Sequence, residues 1–262
     1  MIKLIATDMD GTWLTSQKTY DESLFLQDLA MMKAKGVRFV IASGNQYENI
    51  HSRFGDKADD LFFIAENGAL AAKGRQIMSL SALDSEQTEI LKRLARDYPY
   101  PAVLSGFKTA YVREKDGVAY FKDLKKYFAK LIQVPSFDDV HDRLFKMSFS
   151  LDADQLAPLQ QDLQSRYPQL AFVAGSTESL DMQPRGMNKA YGLKLLGRKL
   201  GIEPSEMVAF GDSGNDVEML RYAGMSFVTA DAMPEAKAAA DQVIGSSEDS
   251  SVQYKILELL KK

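Results

Sequence analysis

Asp8 and Asp10 stand two residues apart, directly after the apolar run Ile2-Lys3-Leu4-Ile5-Ala6-Thr7, and Gly11 and Thr12 follow them. The run reads as a short buried strand. Open α/β sheets hold their ligands just beyond the carboxyl ends of such strands, which is where these two carboxylates would lie. Gly11 lets the backbone turn closely around whatever they hold, and Thr12 adds a hydroxyl. A carboxylate pair of this kind can bind a hard cation; one member can also attack phosphorus while the other moves a proton.

A second acidic cluster, Gly211-Asp212-Ser213-Gly214-Asn215-Asp216, follows another short strand pattern, Met207 to Phe210. Asp212 and Asp216 are four apart at an expected helix start, so both can face the cavity that the Asp8 loop faces. Together the clusters supply the oxygen ligands that Mg²⁺ prefers. An EF-hand calcium loop fails on spacing. Its sixth position would be Trp13 or Val217 rather than Gly, and neither stretch has Glu at position twelve. Lys189 opens a helix after Pro184-Arg185-Gly186, and Ser43-Gly44 ends the strand Val37 to Ala42. Taken singly, these are a surface lysine and a tight turn. In order with the two acidic clusters, each falls at a strand or helix end of one α/β pattern.

The elements that must position these residues alternate. Asp21 to Lys35 is helical, with Leu24, Phe25, Leu29 and Met32 at helical spacing and Gly36 as its cap. Leu61 to Ala65 is a further strand, ending at Glu66-Asn67-Gly68. The same grammar returns late: a helix from Asn188 to Leu200 closed by Gly201, a helix from Asp216 to Ala223 capped by Gly224, and a strand from Met225 to Thr229. An Ala-rich helix opens at Pro234, and a last helix starts near Asp249. Strands separated by helices predict right-handed βαβ units around a parallel sheet. Between the two blocks the pattern changes. A helix (Ser85 to Tyr98), one or two strands (Ala102 to Val112) and a Lys-rich solvated helix face (Lys122 to Lys130) come first. A strand (Leu144 to Leu151), a helix (Gln155 to Tyr167) and two strands (Ala171 to Ala174, Ser179 to Met182) joined through Gly175 follow. This predicts an α+β insertion with its own antiparallel sheet.

Composition narrows the function. The chain has 262 residues, 45% of them hydrophobic and 26% charged, with a formal net charge of -4. Nothing in it resembles a nucleic-acid footprint. With no cysteine, thiol nucleophiles, thiolate metal sites and disulfides are excluded. The two histidines, His51 in an expected helix from Gln46 to Phe54 and His141 in a charged stretch, read as surface residues. A Ser-His-Asp or zinc-histidine hydrolase is therefore not expected. No run approaches the roughly 18 apolar residues of a membrane span, and no signal-peptide apolar region precedes Asp8. The chain reads as cytoplasmic, with a small-molecule partner and neither nucleic acid nor membrane.

The ordered motifs resemble the haloacid-dehalogenase-like hydrolase superfamily, in its Cof-type branch with a large cap inserted between the second and third motifs. Asp8-Met9-Asp10-Gly11-Thr12 matches the first motif, Ser43-Gly44 the second, Lys189 the third and Gly211 to Asp216 the fourth; Glu66-Asn67-Gly68-Ala69 matches a further turn of the branch. Ser43-Gly44-Asn45-Gln46 is similar to the second motif of sugar phosphatases. The resemblance implies that Asp8 attacks phosphorus, giving a phospho-aspartyl intermediate. It implies that Asp10 protonates the leaving oxygen and then deprotonates the hydrolytic water. Thr12, Ser43, Gly44, Lys189 and Asn215 would bind phosphate. Asp8, the Asp10 carbonyl and Asp212 would ligate Mg²⁺, and Asp216 would orient that shell. Two departures stand out. Many relatives carry Arg where this chain has Asn45, and Gly-Asn where it has Ala230-Asp231.

The expectation is a Rossmann-like α/β core with a doubly wound parallel sheet (residues 1–82 and 187–262) and an α+β cap domain (83–186) that closes over the site and chooses the leaving group. The expected activity is Mg²⁺-dependent hydrolysis of small phosphorylated metabolites, most of all sugar phosphates. The alternatives are a phosphosugar mutase or phosphotransferase, and a metabolite-binding regulatory protein on the same scaffold.

Overall fold

Four successive residues, Leu4-Ile5-Ala6-Thr7, are buried in β1 (Leu4–Thr7), as a strand covered on both faces must be. A computed structural model describes residues 1–176 and 178–261 and places β1 centrally in an eight-stranded sheet. In chain order there follow α1 (Glu22–Ala34), β2 (Arg38–Ala42), α2 (Tyr47–Ser52), β3 (Phe62–Ala65), β4 (Leu70–Lys73) and β5 (Gln76–Leu80). The inserted stretch carries α3 (Ser85–Asp97), β6 (Ala102–Gly106), β7 (Ala110–Arg113), α4 (Val118–Leu124), β8 (Leu131–Val134), β9 (Leu144–Ser150), α5 (Ala153–Arg166), β10 (Leu170–Ser176) and β11 (Ser179–Pro184). The chain ends with α6 (Lys189–Leu200), β12 (Met207–Gly211), α7 (Val217–Tyr222), β13 (Met225–Val228), α8 (Pro234–Ala239), β14 (Gln242–Val243) and α9 (Ser251–Lys261). Two compact units result: Met1–Leu80 with Asn188–Lys262, and Ser81–Met187.

The first unit has strand order β14-β13-β12-β1-β2-β3-β4-β5. From β14 to β3 the neighbours are parallel; β4 and β5 add antiparallel strands at one edge. Alternation divides the strands between two faces. Leu4, Ala6, Val40, Ala42 and Ile64 pack with Leu193 and Leu196 of α6, Met219 and Leu220 of α7 and Ala236 of α8. Phe39 points to the other face, where its ring meets Trp13 at 5.2 Å and Phe25 of α1 at 6.2 Å. α1 is capped by Asp21, whose side chain accepts from Leu24 N.

The second unit has strand order β10-β11-β9-β6-β7-β8. Its β7–β8 pair is parallel and the others are antiparallel. Leu104, Met147, Phe149, Leu180 and Met182 pack on one face with Leu91 and Leu94 of α3 and Leu159 and Leu163 of α5. On the opposite face α4 sets Leu124 against Val103, Ala110 and Val112.

The doubly wound sheet is parallel from β14 to β3, and the β4–β5 hairpin after Gly68 adds antiparallel strands at one edge. Several local expectations are corrected. The Lys-rich stretch is helical only to Leu124; Lys125, Lys126 and Lys130 are exposed beyond it, before β8. Gly175 lies inside β10 at a shift in register rather than between strands, and the connecting Thr177 lies outside the described residues. Ala223, not Gly224, caps α7; the Gly224 amide instead donates to Pro204 O at 2.7 Å. His51 is buried, not a surface residue. Its ring lies 5.4 Å from that of Tyr47 and 5.3 Å from that of Phe63. Helix α2 turns this residue toward the sheet, so amphipathic placement overrides its polarity. His141 is exposed. Among the described residues, no helix is long and apolar enough to cross a membrane.

Candidate active site

Because β12, β1 and β2 are adjacent and parallel, their carboxyl ends lie side by side. The loops after them carry Asp212, Asp8 and Ser43 respectively, so residues far apart in sequence meet at one end of the sheet. Gly11 makes the first loop compact: its φ is +81°, and a Cβ there would lie 2.6 Å from Asp212 Oδ2. Thr12 Oγ1 donates to Asp212 Oδ1 at 2.7 Å, and Thr229 Oγ1 donates to the Gly11 carbonyl at 3.1 Å. The Thr12 hydroxyl is thus committed to the second acidic cluster.

Lys189 enters from the first turn of α6. Gly68, with φ +96°, lets that turn approach, since a Cβ at Gly68 would run into the Asn188 carbonyl. Asn188 caps the helix by accepting from Tyr191 N at 2.8 Å. The lysine is only 1% exposed. Its Nζ donates to Asp8 Oδ1 at 2.6 Å, Asp216 Oδ1 at 2.7 Å and Asn215 Oδ1 at 3.2 Å. Asp216 is wholly buried, and its other oxygen accepts from the Asp212 and Ser213 amides at 3.0 and 3.1 Å. It therefore ties Lys189 to the loop that carries Asp212.

One ammonium among three carboxylates leaves the group short of positive charge. Burial pushes the Asp8 carboxyl well above its usual range; Lys189 draws it down, but Asp216 and Asp212 add to the rise. Burial likewise raises Asp212, against the pull of the Thr12 hydroxyl. Lys189 is disfavoured as a cation by burial but held protonated above its ordinary value by Asp216 and Asp8. Asp8, Asp212 and Asp216 each offer an oxygen, and these atoms lie within 4.8 Å of one another. Asp8 and Asp212 keep Oδ2 clear of the bonds to Lys189 and Thr12. An all-oxygen, electron-rich donor set of this kind fits a divalent hard cation, which would lower the very carboxyls that burial raises.

Asp10 occupies a different environment. Burial pushes its carboxyl up, but the hydrogen bond and charge of Lys18, with the Asn45 amide and the more distant Arg53, bring it below the usual range. Lys18 Nζ lies 2.7 Å from Oδ1 and Asn45 Nδ2 lies 3.0 Å from Oδ2. Ser43 is buried, and its Oγ accepts from Asn45 N at 3.1 Å. Gly44 faces Asn67, whose Oδ1 would sit 2.8 Å from a Cβ placed there. Asn215 Nδ2 lies 3.5 Å from Asn67 Oδ1, and Ser213 Oγ donates to Asn215 Oδ1 at 2.8 Å. Asp231, one of the two departures, accepts from Ser246 Oγ at 2.6 Å and closes a surface loop.

Asp8, Asp212, Asp216, Lys189, Asn215 and Thr12 are thus joined through direct contacts, and Asp10 hangs beside them on Lys18 and Asn45. Lys18 is the residue that sequence reasoning missed. Its only signal was the turn Thr15-Ser16-Gln17-Lys18-Thr19 soon after the first motif.

The family model for haloacid dehalogenase-like hydrolases matches residues 5–256. The chain is 36% identical over 262 residues to the 5-amino-6-(5-phospho-D-ribitylamino)uracil phosphatase YbjI of Escherichia coli strain K12, covering 99% of this chain and 97% of that protein. It is 29% identical over 270 residues to the HMP-PP phosphatase of Klebsiella pneumoniae strain 342, covering 97% and 94%. The solved structure of SMU.1108c from Streptococcus mutans UA159 superposes with a TM-score of 0.92 at 31% identity, covering 100% of both chains. With the Asp8–Lys189–Asp216 cluster at the carboxyl ends of a parallel sheet, these likenesses show that the chain belongs to the haloacid dehalogenase-like hydrolases.

Proposed function

We propose that this chain is a Mg²⁺-dependent phosphatase of small phosphorylated metabolites, acting on phosphate esters of sugars and sugar alcohols through a phospho-aspartyl intermediate. The observation that carries the reading is the buried contact of Lys189 with Asp8 and Asp216, beside Asp212. A binding protein has no need to bury a nucleophile between an ammonium and two further carboxylates.

Asp8 attacks phosphorus in line through one carboxylate oxygen; the P–O bond to the leaving group breaks, and the leaving oxygen takes a proton from Asp10. Asp10 takes that proton up when the anionic phosphate enters beside it and opposes the charge of Lys18. Asp10 then takes a proton from the water that attacks the phospho-aspartate, releasing inorganic phosphate and regenerating Asp8. Lys189 offsets the charge that builds on Asp8 and the phosphoryl oxygens. Ser43, the Gly44 amide and Asn215 bind phosphate, while Thr12, whose hydroxyl proton goes to Asp212 rather than to the phosphate as the resemblance implied, holds that loop. Asp8, the Asp10 carbonyl and Asp212 would hold Mg²⁺, with Asp216 fixing the Asp212 loop. When bound, the ion neutralises the carboxylates and polarises the phosphoryl group.

The substrate class is supported by the E. coli relative, whose name places its phosphate on a ribityl chain. A screen of phosphate monoesters with Mg²⁺, run with and without chelator, tests the reading. Sugar and polyol phosphates should be hydrolysed only with the ion present, and Asp8→Asn should abolish turnover while leaving the fold intact. Activity of that variant above about a tenth of wild type would end the covalent route, given that nucleophile removal ordinarily costs far more.

A further inference from the structure

Asp10 is gripped on both oxygens, by Lys18 from one side and Asn45 from the other. We infer that Lys18 and Asn45 are positioning residues that aim the Asp10 carboxyl at the leaving oxygen of the substrate. The inference rests on the role given to Asp10 above.

Stability does not account for this arrangement. The Lys18 and Asp10 side chains are 55% and 42% exposed, and ion pairs so open to water contribute little to folding. Yet the chain holds Lys18 at φ +60°, in the left-handed region that costs a residue with a Cβ. Strain of this kind concentrates where geometry matters more than stability.

The surrounding backbone is pinned so that the lysine arrives in one place. The Thr15 amide donates to Thr19 O and the Lys18 amide to Thr15 O, both at 2.9 Å. The Thr15 and Thr19 hydroxyls meet at 3.0 Å. Outside the turn, the Ser16 amide donates to Glu248 Oε1 at 2.6 Å, and Arg53 Nη1 donates to the Lys18 carbonyl at 3.3 Å. Asn45 is pinned as firmly: its amide donates to Ser43 Oγ, and its carbonyl accepts from Glu66 N at 3.1 Å. A half-exposed aspartate left to itself would sample several staggered rotamers. With a donor on each oxygen, neither Cα–Cβ nor Cβ–Cγ can turn without breaking a contact. Proton transfer needs hydrogen-bond reach at the moment of bond cleavage, and small misplacements are costly.

The test uses the full chain with Mg²⁺ in single turnovers, enzyme in excess, so that only departure of the leaving group is read. Ribose 5-phosphate has an alkoxide leaving group that needs a proton, whereas p-nitrophenolate departs from p-nitrophenyl phosphate without one. Lys18→Met and Asn45→Leu should each slow ribose release about 10- to 100-fold at saturating enzyme, with the enzyme concentration that gives half the maximal rate held within about threefold. Release of p-nitrophenol should stay within about threefold of wild type, and Lys18→Arg should restore most of the ribose rate. Equal slowing of both substrates, or of neither, overturns the positioning role and leaves the proposed phosphatase standing. A wild-type chain that releases neither product overturns that phosphatase reading, and the positioning role falls with it.

Discussion

Replacing Lys189 by Met isolates the physics of the site. The side chain keeps its length and loses its charge, leaving Asp8 and Asp216 buried with no counter-ion. Unit charges about 4 Å apart interact by about 4 kcal/mol at the effective dielectric typical of protein sites, and Lys189 lies closer than that to both carboxylates. Breaking one buried pair ordinarily costs about 3–5 kcal/mol; with two partners stranded, the upper end is expected. At about 2–4 °C per kcal/mol for a chain of this size, the melting temperature should fall by roughly 10–20 °C in chelator at pH 7.5. Two controls separate charge from packing. Lowering the pH should recover part of the loss, because Asp8 already sits above its usual range and takes a proton more readily without the lysine. Adding Mg²⁺ should stabilise the variant more than the wild type, since a dication then faces the same carboxylates with no ammonium competing. Melts at pH 5 and 7.5, with and without Mg²⁺, read all of this. A loss under about 1 kcal/mol with an unchanged pH response would be that of an exposed pair, and would refute the account of Lys189 as the charge that makes the cluster tolerable.

Three further outcomes are expected. Asp212→Ala should move the Mg²⁺ titration of activity to far higher concentration, whereas an unchanged curve would place Asp212 outside the ion's ligands. Gly11→Ala should lower kcat at least about tenfold, because its φ of +81° and the Asp212 oxygen 2.6 Å from the new Cβ force the first loop away from the second. Gly36→Ala, with φ +68° but nothing within 4 Å, should cost about 1–2 kcal/mol of stability and leave kcat alone; equal kinetics in the two variants would refute the close-approach explanation. Asp28 of α1 is buried with both carboxyl oxygens unpartnered, and burial raises its pKa to about 8. Between about pH 4 and 8 the unfolded chain binds fewer protons there than the folded one, so stability should fall as pH rises, by up to about 1.4 kcal/mol per unit. Asp28→Asn should flatten that slope and melt above wild type at pH 7.5; parallel stability–pH curves would show that Asp28 is solvated.

The two acidic loops were legible because their signals are local. Asp8-x-Asp10-Gly11 after an apolar run, and Gly211 to Asp216 after another, follow from strand patterning and turn residues within a dozen positions. Gly201 closes α6 in the left-handed conformation because nothing but helix periodicity and a missing Cβ decides that end. The β4–β5 hairpin was less visible. Leu70-Ala71-Ala72-Lys73 lacks the β-branched residues that mark a strand, and only pairing with β3 makes it one. His51 misled because polarity argues for solvent, while the face of α2 on which it lies is set by the sheet beneath.

By itself, the sequence determined which residues could do chemistry and that each lies at the end of an element: spacing, helix caps and strand alternation are properties of short windows. It also determined that thiol chemistry is absent. Only the tertiary structure decided which of those residues touch. Lys189 reaches Asp8 across 181 positions of sequence because Gly68 admits the first turn of α6 and because β12, β1 and β2 run parallel side by side. The grip of Lys18 and Asn45 on Asp10 was decided in the same way, since a turn and a loop anchored on separate elements must converge on one carboxylate. Charges that lie far apart along the chain acquire their energies from distances, and the packed fold alone sets those distances.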